Sequence, residues 1–453
     1  MGRELKLAVR VTATACVLIC CGLTHAALSA QTQYAGRFLL VWAGDADRQD
    51  DDFMAVVDVR ENSPTFGHIL RTLPVGSRGN EPHHIDLNLR GDGTVWASGV
   101  ASGRTFIFDV SHPPDIKLVK VDEPSPERAH TPPHIYALLP NGHTIATAMD
   151  MRFHPGPGSQ GSAEHPRGDP APGGLLEFDA QGNYLREISA GDIDSGEKSI
   201  SPYGMDIKPE IDRVLTTNAA HGWLGDSKEL SPGSSIQLWH LSDLTLQKTV
   251  AFAPGPRGSE NRAPYEPRFA HAAKSTVVFV NSAVGNSLYV STNVTAAAPI
   301  FKLVYDFGKD AGVAFPALTR DDRFFLQTLT DANKVVVLDV RDPIHPKQVS
   351  EVRFDRNPAN PEQTRVGQPH YLTLDLDEKR VAVSDYTLDV PAFVQDGDRR
   401  VYLLRFDPRT GALNFDRRFR DDLTGGVGID FNRTTWPHGK SGPARPHGML
   451  FVP

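Results

Sequence analysis

Residues 81–87 read Glu-Pro-His-His-Ile-Asp-Leu, and residues 368–374 read Gln-Pro-His-Tyr-Leu-Thr-Leu. In both stretches a proline-containing turn leads into a short run of β-forming residues. Five further stretches have the same form, and they span 132–138, 201–207, 266–271, 314–318 and 445–451. The chain therefore holds seven copies of one strand-initiating unit, and a repeat of this kind decides the fold.

Each unit continues with a polar turn and further strands. The turns are rich in Gly, Asn and Asp, as in Arg-Gly-Asp-Gly at 90–93, and such residues favour hairpins. A third strand of solid or alternating apolar character follows, and then a more amphipathic fourth strand; 106–110 and 116–121 form one such pair. Four strands per unit are typical of a β-propeller blade.

The two ends of the sequence supply one blade between them. Segments 38–42, 53–59 and 68–73 have the patterns of second, third and fourth strands, but no first strand precedes them. Segment 448–452 has the pattern of the missing strand. We therefore predict an all-β, seven-bladed propeller over residues 31–453, closed by pairing of the N- and C-terminal strands, which leaves no open sheet edge.

Four irregular stretches interrupt the repeat. Residues 152–173, 253–264 and 386–399 are rich in proline, glycine and charge, and we expect them to be long surface loops over one rim. Residues 421–446 form a further excursion before the last strand.

The first thirty residues have the organisation of a secretory signal peptide. Three basic residues precede an apolar run over 11–23, and small residues cluster at 26–30. The run is too short for a comfortable membrane span. We predict cleavage after Ala30 or Ala26 and export to the periplasm.

The composition and the net charge argue against several classes of function. All three cysteines, Cys16, Cys20 and Cys21, lie in the leader, so the mature chain has no thiol nucleophile and no disulfide. The full sequence has a net charge of −8, and the leader carries three cations and one anion, which leaves −10 on the mature chain. This charge argues against nucleic-acid or anionic-membrane binding. No segment beyond the leader is apolar enough to span a membrane.

The channel of the predicted propeller collects histidines. The first strand of each blade lines the channel, and we expect its opening residue to face the axis. The seven opening residues are His84, His134, Tyr203, Arg268, Pro316, His370 and His447. Four are histidines, on blades that are neighbours around the closed ring, and His83 adds a fifth imidazole. Convergent imidazoles on a rigid scaffold predict a metal site, for which Cu, Zn, Fe and Ni are all chemically possible.

Each of these residues also has a structural interpretation. A single Pro-His at a strand start is usually structural or solvent-facing, but four at equivalent repeat positions favour a shared role. His83 and His84 are adjacent, so regular alternation would send them to opposite faces; both can bind a metal only where a bulge bends the strand. Tyr203 and Arg268 could position an anion or a proton, or fill space in the channel.

The sequence also resembles a known family. Asp-Phe-Met-Ala-Val-Val-Asp-Val at 52–59, Arg-Thr-Phe-Ile-Phe-Asp-Val at 104–110, Leu-Thr-Arg-Asp-Asp-Arg-Phe at 318–324 and the terminal Pro446-His447 are similar to the selenium-binding protein / methanethiol oxidase family. The resemblance covers nearly the whole mature chain.

The resemblance implies a seven-bladed propeller with a copper site made by His83, His84, His134 and His447. It also implies a periplasmic enzyme that oxidises a small thiol, methanethiol, with O₂ and water to formaldehyde, hydrogen sulfide and hydrogen peroxide. Two features depart from the family. Leu-Asn-Leu-Arg-Gly stands at 87–91, where the family commonly has a cysteine-rich segment, so selenium binding through cysteine is not expected. His370 is an imidazole outside the implied ligand set.

Two other functions are compatible with the sequence. A periplasmic propeller could bind a metal or a partner on its rim without catalysis. A lactonase-type hydrolase would need a Ca²⁺ site built from carboxylates and Asn. The channel positions offer imidazoles instead, which favours the first alternative over the second.

Overall fold

The computed structural model of the protein describes residues 36–124, 132–149, 173–192, 194–195, 200–220, 232–354, 367–386, 389–390, 393–394 and 397–453. The predicted signal peptide, 1–30, and all but the last residue of the predicted loop 152–173 lie outside these ranges. Within them, no helix is long and apolar enough to cross a bilayer.

Short antiparallel strands account for the regular structure, together with a 3₁₀ turn at Pro209–Ile211. The strands that begin and end the chain form blade 7 and are β1 (Phe38–Asp45), β2 (Phe53–Asp58), β3 (Ile69–Pro74) and the last strand, β33 (Ala444–Val452). Blades 1 to 3 contain, from the channel outward, β4 (Pro82–Ile85), β5 (Thr94–Gly99), β6 (Arg104–Asp109) and β7 (Lys117–Asp122); β8 (Pro133–Leu138), β9 (Thr144–Ala148), β10 (Gly174–Phe178) and β11 (Tyr184–Ser189); and β12 (Ser201–Lys208), β13 (Arg213–Ala220), β14 (Ser235–Trp239) and β15 (Leu246–Ala251).

Blades 4 to 6 contain β16 (Pro264–Phe269), β17 (Val278–Ser282), β18 (Ser287–Ser291) and β19 (Lys302–Asp306); β20 (Val313–Leu318), β21 (Phe324–Leu329), β22 (Lys334–Asp339) and β23 (Lys347–Arg353); and β24 (Pro369–Leu374), β25 (Arg380–Asp385), β28 (Arg400–Asp407) and β29 (Ala412–Phe415). Five short strands, β26 (Asp389–Val390), β27 (Phe393–Val394), β30 (Ile429–Asp430), β31 (Thr435–Trp436) and β32 (Gly439–Lys440), lie outside this plan. Seven blades are therefore present, which confirms the repeat count.

The ring closes in blade 7. β33 pairs antiparallel with β1, so that Leu39 lies opposite Phe451 and Leu40 opposite Leu450. The Arg380 guanidinium of blade 6 reinforces this closure, since it donates to the carbonyl oxygens of Gly36 (2.7 Å) and Val59 (2.5 Å) and to the Asp375 carboxylate (2.6 Å). The predicted pairing of the two chain ends is confirmed.

The core lies between adjacent blades, which explains the solid apolar runs of the middle strands. In β1, Leu39, Val41 and Ala43 belong to a buried cluster with residues of blade 6, whereas Leu40 and Trp42 belong to a cluster with residues of blade 1. Both faces of β1 are thus buried, so its apolar residues follow one another and do not alternate with polar residues.

Every inner strand carries a β-bulge near its start, at which two of its residues oppose one residue of the next strand. In blade 1, Pro82 pairs with Gly99 and Ile85 with Ala97, so that His83 and His84 together oppose Ser98. The other six inner strands show the same offset at their bulges. The bend that the paired histidines require is therefore a feature of all seven blades.

Two of the predicted loops contain more structure than expected. The stretch 386–399 includes the β26–β27 hairpin, and the excursion 421–446 includes β30 paired with β28 and the β31–β32 hairpin. Phe431 and Trp436 of this excursion are buried in the core beside blade 7. The excursion therefore covers the closure site of the ring.

Candidate metal centre

The bulge of blade 1 directs both His83 and His84 toward the channel. Their rings are stacked, with centroids 4.7 Å apart and planes inclined by 4°. Regular strand alternation would have separated them. The bulge thus lets one blade contribute two imidazoles to one place.

Three histidines from neighbouring blades join this pair. The His83 ring centroid lies 4.1 Å from that of His447 and 4.8 Å from that of His134. His84 lies 4.1 Å from His134, and His370 lies 5.0 Å from His447. We call these five residues the imidazole cluster. The structure brings all five predicted histidines together, and that they bind a metal remains a prediction.

The strand registers order the channel differently from the sequence prediction. The first bulge position holds His83, His134, Tyr203, Tyr265, Ala314, His370 and His447 in blades 1 to 7. The expected set placed His84, Arg268 and Pro316 there, and the registers do not support this equivalence. The bulge inserts one extra residue into each inner strand. A single sequence does not mark where this residue stands, so equivalent positions cannot be counted from the prolines alone.

The second bulge position supplies a layer next to the cluster. His84 contacts Phe315 and Tyr371 edge-on, with centroids 5.1 and 5.6 Å away, and Nδ1 of His84 lies 3.8 Å from Oε1 of Glu266. Arg268 lies on the far side of this layer, with its guanidinium 4.7 Å from the Phe315 ring centroid. Arg268 therefore belongs to the channel, but an aromatic side chain stands between it and the imidazoles.

Tyr203 lies against the cluster and orients two of its members. Its backbone carbonyl accepts a hydrogen bond from Nδ1 of His134 (3.0 Å), which leaves the lone pair of that ring on Nε2. Its hydroxyl lies 3.4 Å from Nε2 of His83 and 2.5 Å from the hydroxyl of Tyr265. Hydrogen bonds of this kind fix the tautomer and direction of metal-binding histidines.

A series of hydrogen bonds between blades holds the bulges in place. In blades 2 to 6, the residue opposite each bulge donates its side-chain hydrogen bond to the first bulge carbonyl of the next blade. The pairs are Thr147 to Tyr203, Thr217 to Tyr265, Asn281 to Ala314, Thr328 to His370 and Ser384 to His447, at 2.5 to 2.8 Å. The inner wall of the channel is thereby linked from blade 2 to blade 7.

The cluster fits a metal ion. His84, His134 and His447 have no exposed area, and His83 and His370 are 6% and 8% exposed. Within the described ranges, both nitrogens of His84 and Nδ1 of His83 and of His370 have no hydrogen-bond partner. A buried, unsatisfied polar atom costs about 1–3 kcal/mol. Coordination would satisfy these nitrogens, and neutral imidazole is a preferred ligand of Cu, Zn, Ni and Fe.

The electrostatics keep four of the five imidazoles neutral, those of His83, His84, His370 and His447. Burial lowers the pKa of His83, His84 and His447 well below its usual value, and the other imidazoles of the cluster lower it further. Burial alone lowers the pKa of His370 to about 4. Neutral rings keep their lone pairs at neutral pH, and metal binding requires those lone pairs.

The sequence prediction missed two acidic residues of the site. Glu266, which is fully buried, has its pKa raised to about 8 by burial, although Arg268 opposes the shift. Glu81 accepts hydrogen bonds from Arg445 (3.0 Å) and from the Tyr386 hydroxyl, and the Tyr386 ring lies 4.0 Å from that of His447. Both acids stand in the repeated strand-start stretches, next to the prolines that marked them, but only the bulge registers show that Glu266 matches His84.

The opposite end of the channel holds a separate cavity of about 140 Å³. Arg268, Phe315 and Tyr371 form its wall toward the cluster, and Asp206 and Glu378 lie farther along it. The stacked rings of Phe315 and Tyr371, 4.1 Å apart, separate this cavity from His84.

Fold and site together define a β-propeller with a buried group of histidines at one end of its channel. The chain belongs to the family described as 56 kDa selenium-binding protein (SBP56), whose model matches residues 25–451. This confirms the resemblance seen in the sequence.

Two curated relatives are named methanethiol oxidase. The one from Ruegeria pomeroyi is 26% identical over 369 residues, which cover 75% of this chain and 78% of the relative. The one from Hyphomicrobium is 23% identical over 370 residues, which cover 78% of each chain. Among solved structures, a hypothetical selenium-binding protein from Sulfolobus tokodaii has a TM-score of 0.73 at 18% identity, over 92% of this chain and 93% of that one. At this identity the likeness shows the fold alone.

Proposed function

We propose that the protein is a periplasmic, copper-dependent oxidase of small thiols. The proposed reaction converts methanethiol, O₂ and H₂O into formaldehyde, H₂S and H₂O₂. In it the carbon atom loses two electrons and O₂ gains two. The buried imidazole cluster with its unsatisfied nitrogens carries the proposal, and the two relatives named methanethiol oxidase supply the reaction class.

His83, His84, His134 and His447 would hold the ion, with His370 next to His447 as a further imidazole. Copper bound there would bind the substrate as a thiolate and mediate electron transfer to O₂. The chain's own residues prepare the site. Burial keeps the imidazoles of His83 and His84 neutral, and Tyr203 directs the nitrogens of His83 and His134.

The walls of the site suit a small substrate. Among the residues of the imidazole cluster, only His83 and His370 have exposed area, at 6% and 8%. A substrate would therefore reach the cluster from the side of these two residues. The Tyr386 ring packs against His447 and lies 5.3 Å from His370, which gives this side an aromatic surface. An aromatic face suits a methyl group and makes favourable contacts with sulfur.

Elemental analysis of the mature protein, purified from a periplasm supplied with copper, tests the proposal. We expect at least one copper per chain, release of H₂O₂ and H₂S from methanethiol, and loss of both copper and activity in His84→Ala. His345→Ala is the matched control, because this histidine is 71% exposed and pairs with Asp342 at the surface. Full activity in metal-free protein would refute the proposal.

A second outcome would favour the non-catalytic alternative. Copper bound by the wild type and lost in His84→Ala, without O₂ consumption across a series of small thiols, would leave a metal-binding propeller and remove the oxidase.

A further inference from the structure

The side chain of Glu266 lies next to the imidazole cluster and has fewer hydrogen-bond donors than a buried carboxylate needs. Oε1 of Glu266 accepts no hydrogen bond from the described residues, and Oε2 lies 3.4 Å from the Arg268 guanidinium, at the long end of a hydrogen bond. The side chain has no exposed area. A buried carboxylate is retained at low cost only where a cation or strong donors compensate it.

Two imidazoles face this carboxylate. Donor atoms of His84, His134 and Glu266 all lie within 4.8 Å of one another, and His83, His84 and His447 form a second such group. Donors around one tetrahedral ion lie about 3.3 Å apart, as ligand distances near 2.0 Å require. Small side-chain rotations therefore bring either group to coordination distance.

We propose that the channel binds a second divalent cation between His84, His134 and Glu266. The proposal rests on the proposed function and divides its four-histidine set. With two ions bound, His83, His84 and His447 hold the first ion, and His134 is a ligand of the second. His84 would bridge both positions as an imidazolate, and its ring N–H proton would be released to solvent when the second ion binds. Both of its nitrogens are without partners among the described residues, and Nδ1 is the one near Glu266. A site with two imidazoles and one carboxylate suits Cu²⁺ or Zn²⁺, whereas the first position offers imidazoles alone.

The directions of the neighbouring groups agree with this assignment. Nδ1 of His134 donates to the Tyr203 carbonyl, so Nε2 is the nitrogen that carries its lone pair. Arg268 holds the other oxygen of Glu266, which leaves Oε1 toward His84. Glu266 would bind as the carboxylate, with release of any proton that it carries, and its negative charge would lower the net charge of a bound divalent ion to about +1.

Titration of metal-free protein with Cu²⁺ alone tests the proposal, with bound copper measured after gel filtration. We expect two copper ions per wild-type chain and one per chain in Glu266→Gln. Asp206→Asn is the matched control, because Asp206 lies on the same channel and near Arg268 but outside both donor groups. It should bind two.

His134→Gln provides a second route, should Glu266→Gln fail to fold, and it should also bind one ion. Electron paramagnetic resonance adds a readout independent of activity, because two Cu²⁺ ions sharing His84 should be magnetically coupled and one should not. One ion per wild-type chain, or two in Glu266→Gln, would overturn the second position and leave the first. No copper in the wild type would overturn both.

Discussion

The carbonyl oxygen of Tyr203 accepts a hydrogen bond from Nδ1 of His134 over 3.0 Å, and the hydroxyl of the same residue lies 3.4 Å from Nε2 of His83. One residue of blade 3 thus orients imidazoles from blades 1 and 2. Its carbonyl is in turn held by Thr147. Tyr203 is therefore a positioning residue of the candidate metal centre.

Tyr203→Phe should weaken copper binding by roughly 10- to 100-fold, because it removes the hydroxyl next to His83 and keeps the carbonyl that holds His134. The competition of a chelator for bound copper measures the change. Tyr289→Phe is the control, since its hydroxyl donates to the Ala253 carbonyl in blade 4, outside the channel. An unchanged affinity in Tyr203→Phe would mean that His83 needs no such orientation.

The metal-free protein should lose stability as the pH falls below about 6.5. The folded pKa of His370 is lowered to about 4, so between pH 6.5 and 4 the unfolded chain takes up a proton that the folded chain does not. The stability then drops by up to about 1.4 kcal/mol per pH unit for this residue. Urea unfolding between pH 7.5 and 4.5 measures it. His370→Gln should show a shallower decline, and an identical decline in both proteins would contradict the prediction.

Arg380→Met should lower the free energy of unfolding by about 3–5 kcal/mol. It leaves the buried Asp375 without its ion partner and removes the donors to Val59 and Gly36 at the closure of the ring. Arg341→Met is the control, because Arg341 is 66% exposed and pairs with Asp339 at the surface, where such pairs contribute little. Equal urea midpoints for the two variants would rule out a role of Arg380 in closure.

Phe315→Ala should open a route between His84 and the cavity at the far end of the channel. Chelators should then extract copper faster, alongside a loss of about 3–5 kcal/mol in stability. Phe325→Ala serves as the control, because Phe325 is equally buried but lies between blades. It should cost similar stability without faster extraction, and equal extraction rates would show that Phe315 does not separate the two compartments.

The predicted export can be tested on the protein made in a bacterial host. We expect the chain in the periplasmic fraction, with an N-terminus at Gln31 or Ala27, and a chain lacking residues 1–30 should stay in the cytoplasm. N-terminal sequencing of the fractionated protein distinguishes the two cleavage sites, and full-length chain in the cytoplasmic fraction would contradict export.

Much of the fold could be predicted because its signals are local. A proline turn followed by β-forming residues marks each inner strand, and the patterns of 38–42 and 448–452 were enough to predict the closure that β1 and β33 make. The five histidines were found because they stand at these marked strand starts. What they bind stays a prediction.

The remainder of the site depends on registers that no local pattern reveals. A bulge shifts the pairing by one residue, and only the pairing of β16 with β17 shows that Tyr265 and Glu266, and not Arg268, occupy the bulge of blade 4. Tyr386 was missed for a different reason. It follows the end of β25 and reaches His447 across the boundary between blades, a contact that depends on the ring as a whole.

The bulge that recurs in every inner strand also affects how such a channel can change through evolution. Because a bulged strand presents two neighbouring side chains at one level, a ligand set can be assembled from a few adjacent blades. Here blades 6, 7, 1 and 2 supply all five imidazoles, and blade 5 places alanine and phenylalanine at the same two positions. The residues at the two bulge positions can therefore be substituted in one group of blades without changes in the other blades or in the strand pairing.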